Sequence, residues 1–375
     1  MIIYAIFSNE GGMKRVCDTS YDPSVNDVLY FLFSPVKPLM KRDNLFHIEW
    51  DIKTKTYSSE FKGEIQKSII KYLKEAVIQC VIGDCFTLPY FEFLDCNMIY
   101  DTHSLSLPLN EVLDRDRRYL TLDKFTTYPL NSSFLLQFKK YMKFEYFWMG
   151  KCTAFISNST NTTKYLNTHY RGLVEGKKIF DVPVVSSLDF RESIGAQGEK
   201  LYPFYCFSRW HPQKGYFFLL NHDWSEKNLY IRGISKGLIS ESTKKDFSKK
   251  GIFFLDWTES SDEILVDLAN ADIALFPAIY EPYGLSLAEA MKAGTLVVAH
   301  DNNSGHNEQV THGKDGFLLD FSDANFITEL KNISNLSDSN KREIKTNATC
   351  SSKLSLEKRL NKLKEVFNYI YESWS

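Results

Sequence analysis

The stretch FPAIYEPYGLSLAEAMKAGTLVVAHD, residues 276–301, decides the fold. Residues 273–276 read as the end of a buried strand, 277–284 as an irregular loop, and 285–293 as a helix of strong formers closed by Gly294. The apolar run 295–299 is the next strand, so the segment is one strand–loop–helix–strand unit of an α/β sheet. Two carboxylates flank the turn, Glu281 in the loop and Glu289 on the helix. The first N–H groups of such a helix have no intrahelical partner and favour an anion at the loop mouth. Tyr283, Gly284, Leu285 and Ser286 are therefore candidate ligand contacts. The pattern suits a phosphate beside two sugar-binding carboxylates.

Working outward, the chain continues the alternation in both directions. Residues 205–207, 229–233, 251–257, 272–276, 295–299 and 316–319 read as strands, with helices at 215–221, 262–270 and 285–293, a Rossmann-like half. In the amino-terminal half, 2–7, 28–33, 46–50, 78–82, 97–100 and 153–156 read as strands. Between them Phe61, Ile65, Ile69, Ile70 and Leu73 form a helical stripe over 60–76. The Pro-, Ser- and Gly-bearing stretch 182–200 reads as a linker, which places domains at 1–190 and 191–352. An amphipathic helix at 353–375, with Leu356, Leu360, Leu363, Phe367 and Ile370 on one face, needs a partner surface.

Length and composition agree with this organisation. A chain of 375 residues exceeds the size at which one core keeps growing, and 43% hydrophobic with 25% charged residues is globular. A net charge of −2 implies no nucleic-acid partner. The seven cysteines include no CxxC pair and read as reduced thiols. With no signal-peptide core and no spanning apolar run, a cytoplasmic location is expected. Residues 134–151 mix aromatics with Lys139, Lys140, Lys143 and Lys151. Because the aromatics fall almost all round, a buried helix is favoured, with a peripheral membrane contact as the alternative.

Three further groups could carry chemistry. Arg209 and Lys214 stand in a strand-to-helix turn before Gly215 and suit a diphosphate, Arg as a fork and Lys as a point charge. His211 lies between them. His103 follows a strand end, where an open α/β sheet binds ligands, and Gly11 and Gly12 follow the first strand, where backbone could approach a ligand. Asp256 and Trp257 end a strand and are candidates to border a nucleotide base, with a core position for Trp257 as the equal alternative. Gly305, Glu308, Gly313 and Gly316 read as turn devices. No Asp-x-Asp ends a strand so as to hold a metal, since Asp114 and Asp116 lie in a charged helical stretch; no metal and no cofactor are expected.

The sequence EPYGLSLAE followed by AEAMKAGTLVV resembles the Glu-x7-Glu signature of the retaining GT-B glycosyltransferases of family 4 (glycosyl transferases group 1). Arg209 and Lys214 resemble that family's Gly-Arg-Leu…Lys-Gly motif, with Ser208 in place of Gly. The tail 304–316 is similar to its Gly-Gly…Glu…Gly…Gly run, with Ser304 in place of the first Gly. The resemblance is strong over 200–320. It implies a GT-B fold, two Rossmann-like domains facing across a cleft, with the final helix crossing back to the amino-terminal one. It further implies that Glu281 contacts donor-sugar hydroxyls and Glu289 the ribose, that Arg209 and Lys214 neutralise the leaving pyrophosphate, and that His103 contacts the sugar near its anomeric carbon.

The implied activity is metal-independent transfer of a hexose-type unit from a nucleotide sugar, UDP favoured, with retention. The acceptor, whether a glycan, lipid-linked sugar, protein or small molecule, is not legible. The competing readings are an accessory subunit that binds without turnover, and a nucleotide-sugar epimerase or phosphorylase.

Overall fold

The computed structural model describes residues 1–7, 25, 27–34, 44–49, 59–73, 76–102, 105, 132–185, 200–208, 211–233, 239–258, 260–351 and 356–374. They form two compact units, each built on one parallel sheet. Most of the 182–200 stretch lies outside the described residues.

The first unit holds strands β1 (Ile2–Phe7), β2 (Val28–Ser34), β3 (Leu45–Glu49), β4 (Cys80–Gly83), β5 (Asn97–Thr102), β6 (Ala154–Ser157) and β7 (Lys178–Asp181). Their order is β3-β2-β1-β4-β5-β6-β7, all pairs parallel, with Ile2 opposite Val28 on one side and Cys80 on the other. Strands buried on both faces read as unbroken apolar runs, and Ile2, Ile3 and Tyr4 are fully enclosed. The strand β7 was not legible, because only Phe180 of its four residues is buried and the pattern carries no period. The helix Thr160–His169 was likewise not read, although Ser159 caps it by accepting from the Thr162 N–H at 3.0 Å.

The carboxyl-terminal helix Leu356–Trp374 packs on this first sheet. Leu363, Val366, Phe367 and Ile370, at helical spacing, meet Ile2, Tyr4, Val28 and Tyr30 in one core, and the buried Arg359 donates to the Pro183 carbonyl at 2.8 Å.

The helix Ser132–Lys151 corrects one expectation. It is not buried all round: Trp148 and Met149 face inward, whereas Tyr146 and Phe147 are 45% and 55% exposed. The inward face also takes Glu145, whose carboxylate accepts from Tyr170 Oη at 3.1 Å, so an inward charge displaces aromatics to the outside. No helix among the described residues is long and apolar enough to cross a membrane.

The second unit holds β8 (Tyr202–Phe207), β9 (Leu229–Arg232), β10 (Ile252–Phe254), β11 (Ala271–Phe276), β12 (Leu296–His300) and β13 (Phe317–Leu319), in the order β10-β9-β8-β11-β12-β13, again parallel. The strand expected at 251–257 is cut to three residues, and beyond its end the Asp256 carbonyl accepts from Arg232 Nη1 at 2.6 Å. The helices Glu241–Ser248 and Asp338–Ser351 escaped the reading because few of their residues are buried and no apolar stripe forms.

Truncating the carboxyl-terminal helix anchor should test how far it supports the first sheet. Phe367→Ala is predicted to cost about 3–5 kcal/mol, the range for deleting a buried aromatic, read as a lowered urea midpoint.

Candidate active site

In the second sheet the strand order reverses between β8 and β11, and an open parallel sheet binds ligands beyond the carboxyl ends of such a pair. Three loops meet there, after β8, β11 and β12. The loop after β8 contains the short 3-10 turn Pro212–Lys214 and ends at Gly215, whose φ of +66° opens the helix Tyr216–Leu220. A Cβ at Gly215 would lie 1.9 Å from the Pro277 carbonyl oxygen, so only glycine lets this loop lie on the one after β11. The Ile279 N–H donates to the Gln213 carbonyl at 2.9 Å across that contact.

On the other side, residues after β12 hold the same loop. Asn302 Nδ2 donates to the Ala278 carbonyl at 2.7 Å, the Gly305 N–H to the Glu281 carbonyl at 2.7 Å, and Gln309 Nε2 to the carbonyls of Tyr283 and Gly284. Gly284, at φ +91°, caps the helix Leu285–Lys292, and a Cβ there would stand 2.2 Å from His306 Cδ2. The loop bearing Glu281 is thus fixed along its whole length.

Within this frame Lys214 Nζ donates to Glu281 Oε2. Both side chains are largely buried, at 12% and 14% exposure, where opposite charges attract more strongly than in water. Lys214, Glu281, Ser286, Ser208 and His306 line one pocket. Glu289 lies one turn into the helix, fully buried, and is not among the residues lining that pocket. Tyr283, in the loop before the helix, is also buried, and burial together with the charge of Glu308 pushes its phenol up to about 12.

Ser208 keeps a non-left-handed backbone among the described residues, and its Oγ lies 2.9 Å from Tyr216 Oη, which donates to the Ser208 carbonyl at 2.7 Å. Serine therefore fits where the family motif has glycine. His211 Nδ1 accepts from the Gln213 N–H at 3.3 Å and so caps its own turn. Asp256 and the half-buried Trp257 follow the edge strand β10, two strands from β8. Arg209, His103 and Gly12 lie outside the described residues.

Sequence reasoning missed the groups that hold the loops, Asn302, His306 and Gln309. Their signal is weak, because nothing in a polar turn says which side chain faces inward. It also missed Arg232, which pairs with Asp267, itself accepting from Tyr205 Oη at 2.7 Å. This cation at the end of β9 is engaged in holding the sheet to the helix Ser261–Asn270.

Part of this unit is similar to a known family. Residues 228–351 match the model of glycosyl transferases group 1. A GDP-Man:Man(3)GlcNAc(2)-PP-Dol α-1,2-mannosyltransferase of Xenopus laevis is 24% identical over 318 residues, 74% of this chain and 63% of that protein. The chain spans 58% and 63% of the lengths of the two curated relatives it matches first. Among solved structures, a sucrose-phosphate synthase from Thermosynechococcus elongatus superposes with TM-score 0.72 at 14% identity, covering 99% of each chain. Anabaena Alr3699/HepE, solved in complex with UDP-glucose, gives 0.64 at 16% identity over 98% of this chain and 99% of that one. Two Rossmann-like parallel-sheet units are shared with these GT-B structures, and this is the GT-B fold. The glycosyl transferases group 1 match falls within the unit that holds Glu281.

The pocket carries a pH signature. Burial pushes the His306 imidazole down to about 4; Lys214 and His300 push the same way, and Glu281 opposes them. The folded value lies below the ordinary 6.5, so the folded state resists protonation. The associated stability is full above pH 6.5 and is lost as pH falls towards 4, by about 1.4 kcal/mol per unit. His306→Phe should flatten the fall in urea midpoint between pH 7 and pH 4.5. Gly284→Ala should lower the melting temperature sharply, since it meets both the positive φ and the His306 ring.

Proposed function

We propose that the protein is a retaining, metal-independent glycosyltransferase that moves a hexose-type sugar from a nucleotide sugar, UDP favoured, to a glycan or other hydroxyl-bearing acceptor. The observation that carries this reading is the Lys214–Glu281 pair, lining one pocket with Ser286 at the switch point of the second sheet. A diphosphate entering there replaces Glu281 as the partner of Lys214, and the freed carboxylate then accepts from sugar hydroxyls. The exchange swaps one anion for another, so the cation is never left unmatched in a poorly solvated site. The relatives named above support the donor class: one is a GDP-mannose enzyme, one was solved with UDP-glucose.

In the proposed reaction the bond between the anomeric carbon and the β-phosphate oxygen breaks, and the acceptor oxygen bonds to the same face of that carbon. The departing phosphate oxygen takes the acceptor's proton. Lys214, Arg209 and the first N–H groups of the helix Leu285–Lys292 stabilise the charge that grows on the diphosphate, each donor being worth roughly 10²–10³ in rate. Glu281 orients the sugar.

A melting-temperature screen with UDP-, GDP- and ADP-sugars should give stabilisation by one nucleotide class. With that donor and an acceptor panel, Glu281→Ala and Lys214→Gln should each lower kcat by about 10² or more while the circular dichroism of the fold persists. Wild-type turnover in either variant would sink the assignment, and cleavage of a glycan that consumes inorganic phosphate and releases a sugar phosphate would mark a phosphorylase instead.

A further inference from the structure

His306 is a buried group of this unit whose chemistry the loop contacts do not use. It lies in the 3-10 turn Gly305–Glu308 after β12, is 2% exposed, and neither ring nitrogen has a hydrogen-bond partner among the described residues. Its polar neighbours are engaged: Lys214 with Glu281, Gln309 with the Tyr283 and Gly284 carbonyls, Asn302 with that of Ala278. Packing alone does not call for an imidazole at this place. Phe276 meets the ring edge-on with centroids 5.9 Å apart and Gly284 presses on it from the helix start, contacts that a phenyl ring would make without burying two unmet nitrogens.

The pocket shared by Lys214, Glu281 and Ser286 reaches this ring. Desolvation keeps the imidazole neutral at physiological pH. A neutral imidazole offers one N–H donor and one acceptor nitrogen. A phosphate or carboxylate offers acceptors and could meet only the donor. A sugar hydroxyl both donates and accepts, and neighbouring hydroxyls on a ring can meet both nitrogens. The charged end of the donor has its own partner in Lys214, which leaves His306 for the uncharged end.

We propose that His306 is a sugar-recognition residue, its neutral ring hydrogen-bonding hydroxyl groups of the transferred sugar from beneath the Glu281 loop. This rests on the reading of the pocket as a donor-sugar site. It adds a determinant of which sugar is accepted, supplied by the loop after β12 and distinct from the carboxylate of Glu281.

The test is a cycle between protein and donor. With the nucleotide sugar found in the melting screen and its singly deoxygenated analogues, the wild type should lose about tenfold or more in kcat/KM for at least one missing hydroxyl. His306→Phe should lose a similar factor with the full donor and no longer distinguish that analogue from it, while its Kd for UDP alone is unchanged. His306→Gln, which keeps a donor and an acceptor, should recover part of the discrimination, and it carries the cycle if the phenylalanine variant does not fold. A variant that ranks the deoxy donors as the wild type does overturns the role of His306 and leaves the donor site intact. Failure of the wild type to bind any nucleotide sugar overturns the donor-site reading and this role with it.

Discussion

The site exists because no side chain stands at positions 215 and 284. The loops after β8, β11 and β12 approach so closely that a Cβ at either place would fall about 2 Å from the backbone or ring of the next loop. Glycine also tolerates the positive φ that both positions adopt. Given that approach, backbone hydrogen bonds from Ile279 and Gly305 and side-chain bonds from Asn302 and Gln309 lock the middle loop from both sides. Everything polar in the pocket is placed by this stack.

One consequence is electrostatic. Lys214 and Glu281 come from loops 67 residues apart, yet they meet where little water screens them. A rigid frame means that the loops bearing these charges need not move when Lys214 changes partner, and charges held on a preorganised backbone contribute most to a reaction. Burial has the opposite effect on His306, holding it uncharged beside a cation. Charge and neutrality are thus assigned within one pocket by solvent exclusion and neighbours, not by residue type.

Much of this was legible beforehand. The Glu281 loop, the helix Leu285–Lys292 and the strands on either side follow from short-range pattern, because apolar runs, helix formers and glycine stops are local signals. Lys214 was legible for the same reason, standing directly before a glycine that opens a helix. The edge strand β7 was not, nor the outward turn of Tyr146 and Phe147, since one buried residue makes no period and an inward glutamate disguises the face of a helix.

The chain by itself determined that two parallel α/β units would form, with carboxylates at one βα junction and cations at another, because periodicity, turn chemistry and charge are written residue by residue. Only the tertiary structure decided that Lys214 grips Glu281, that Glu289 is enclosed away from the pocket lining, and that His306 turns inward beneath Gly284. These depend on how closely three separate loops pack, a property of the order of strands in the sheet and of the space that glycine leaves, and neither is expressed in any one segment.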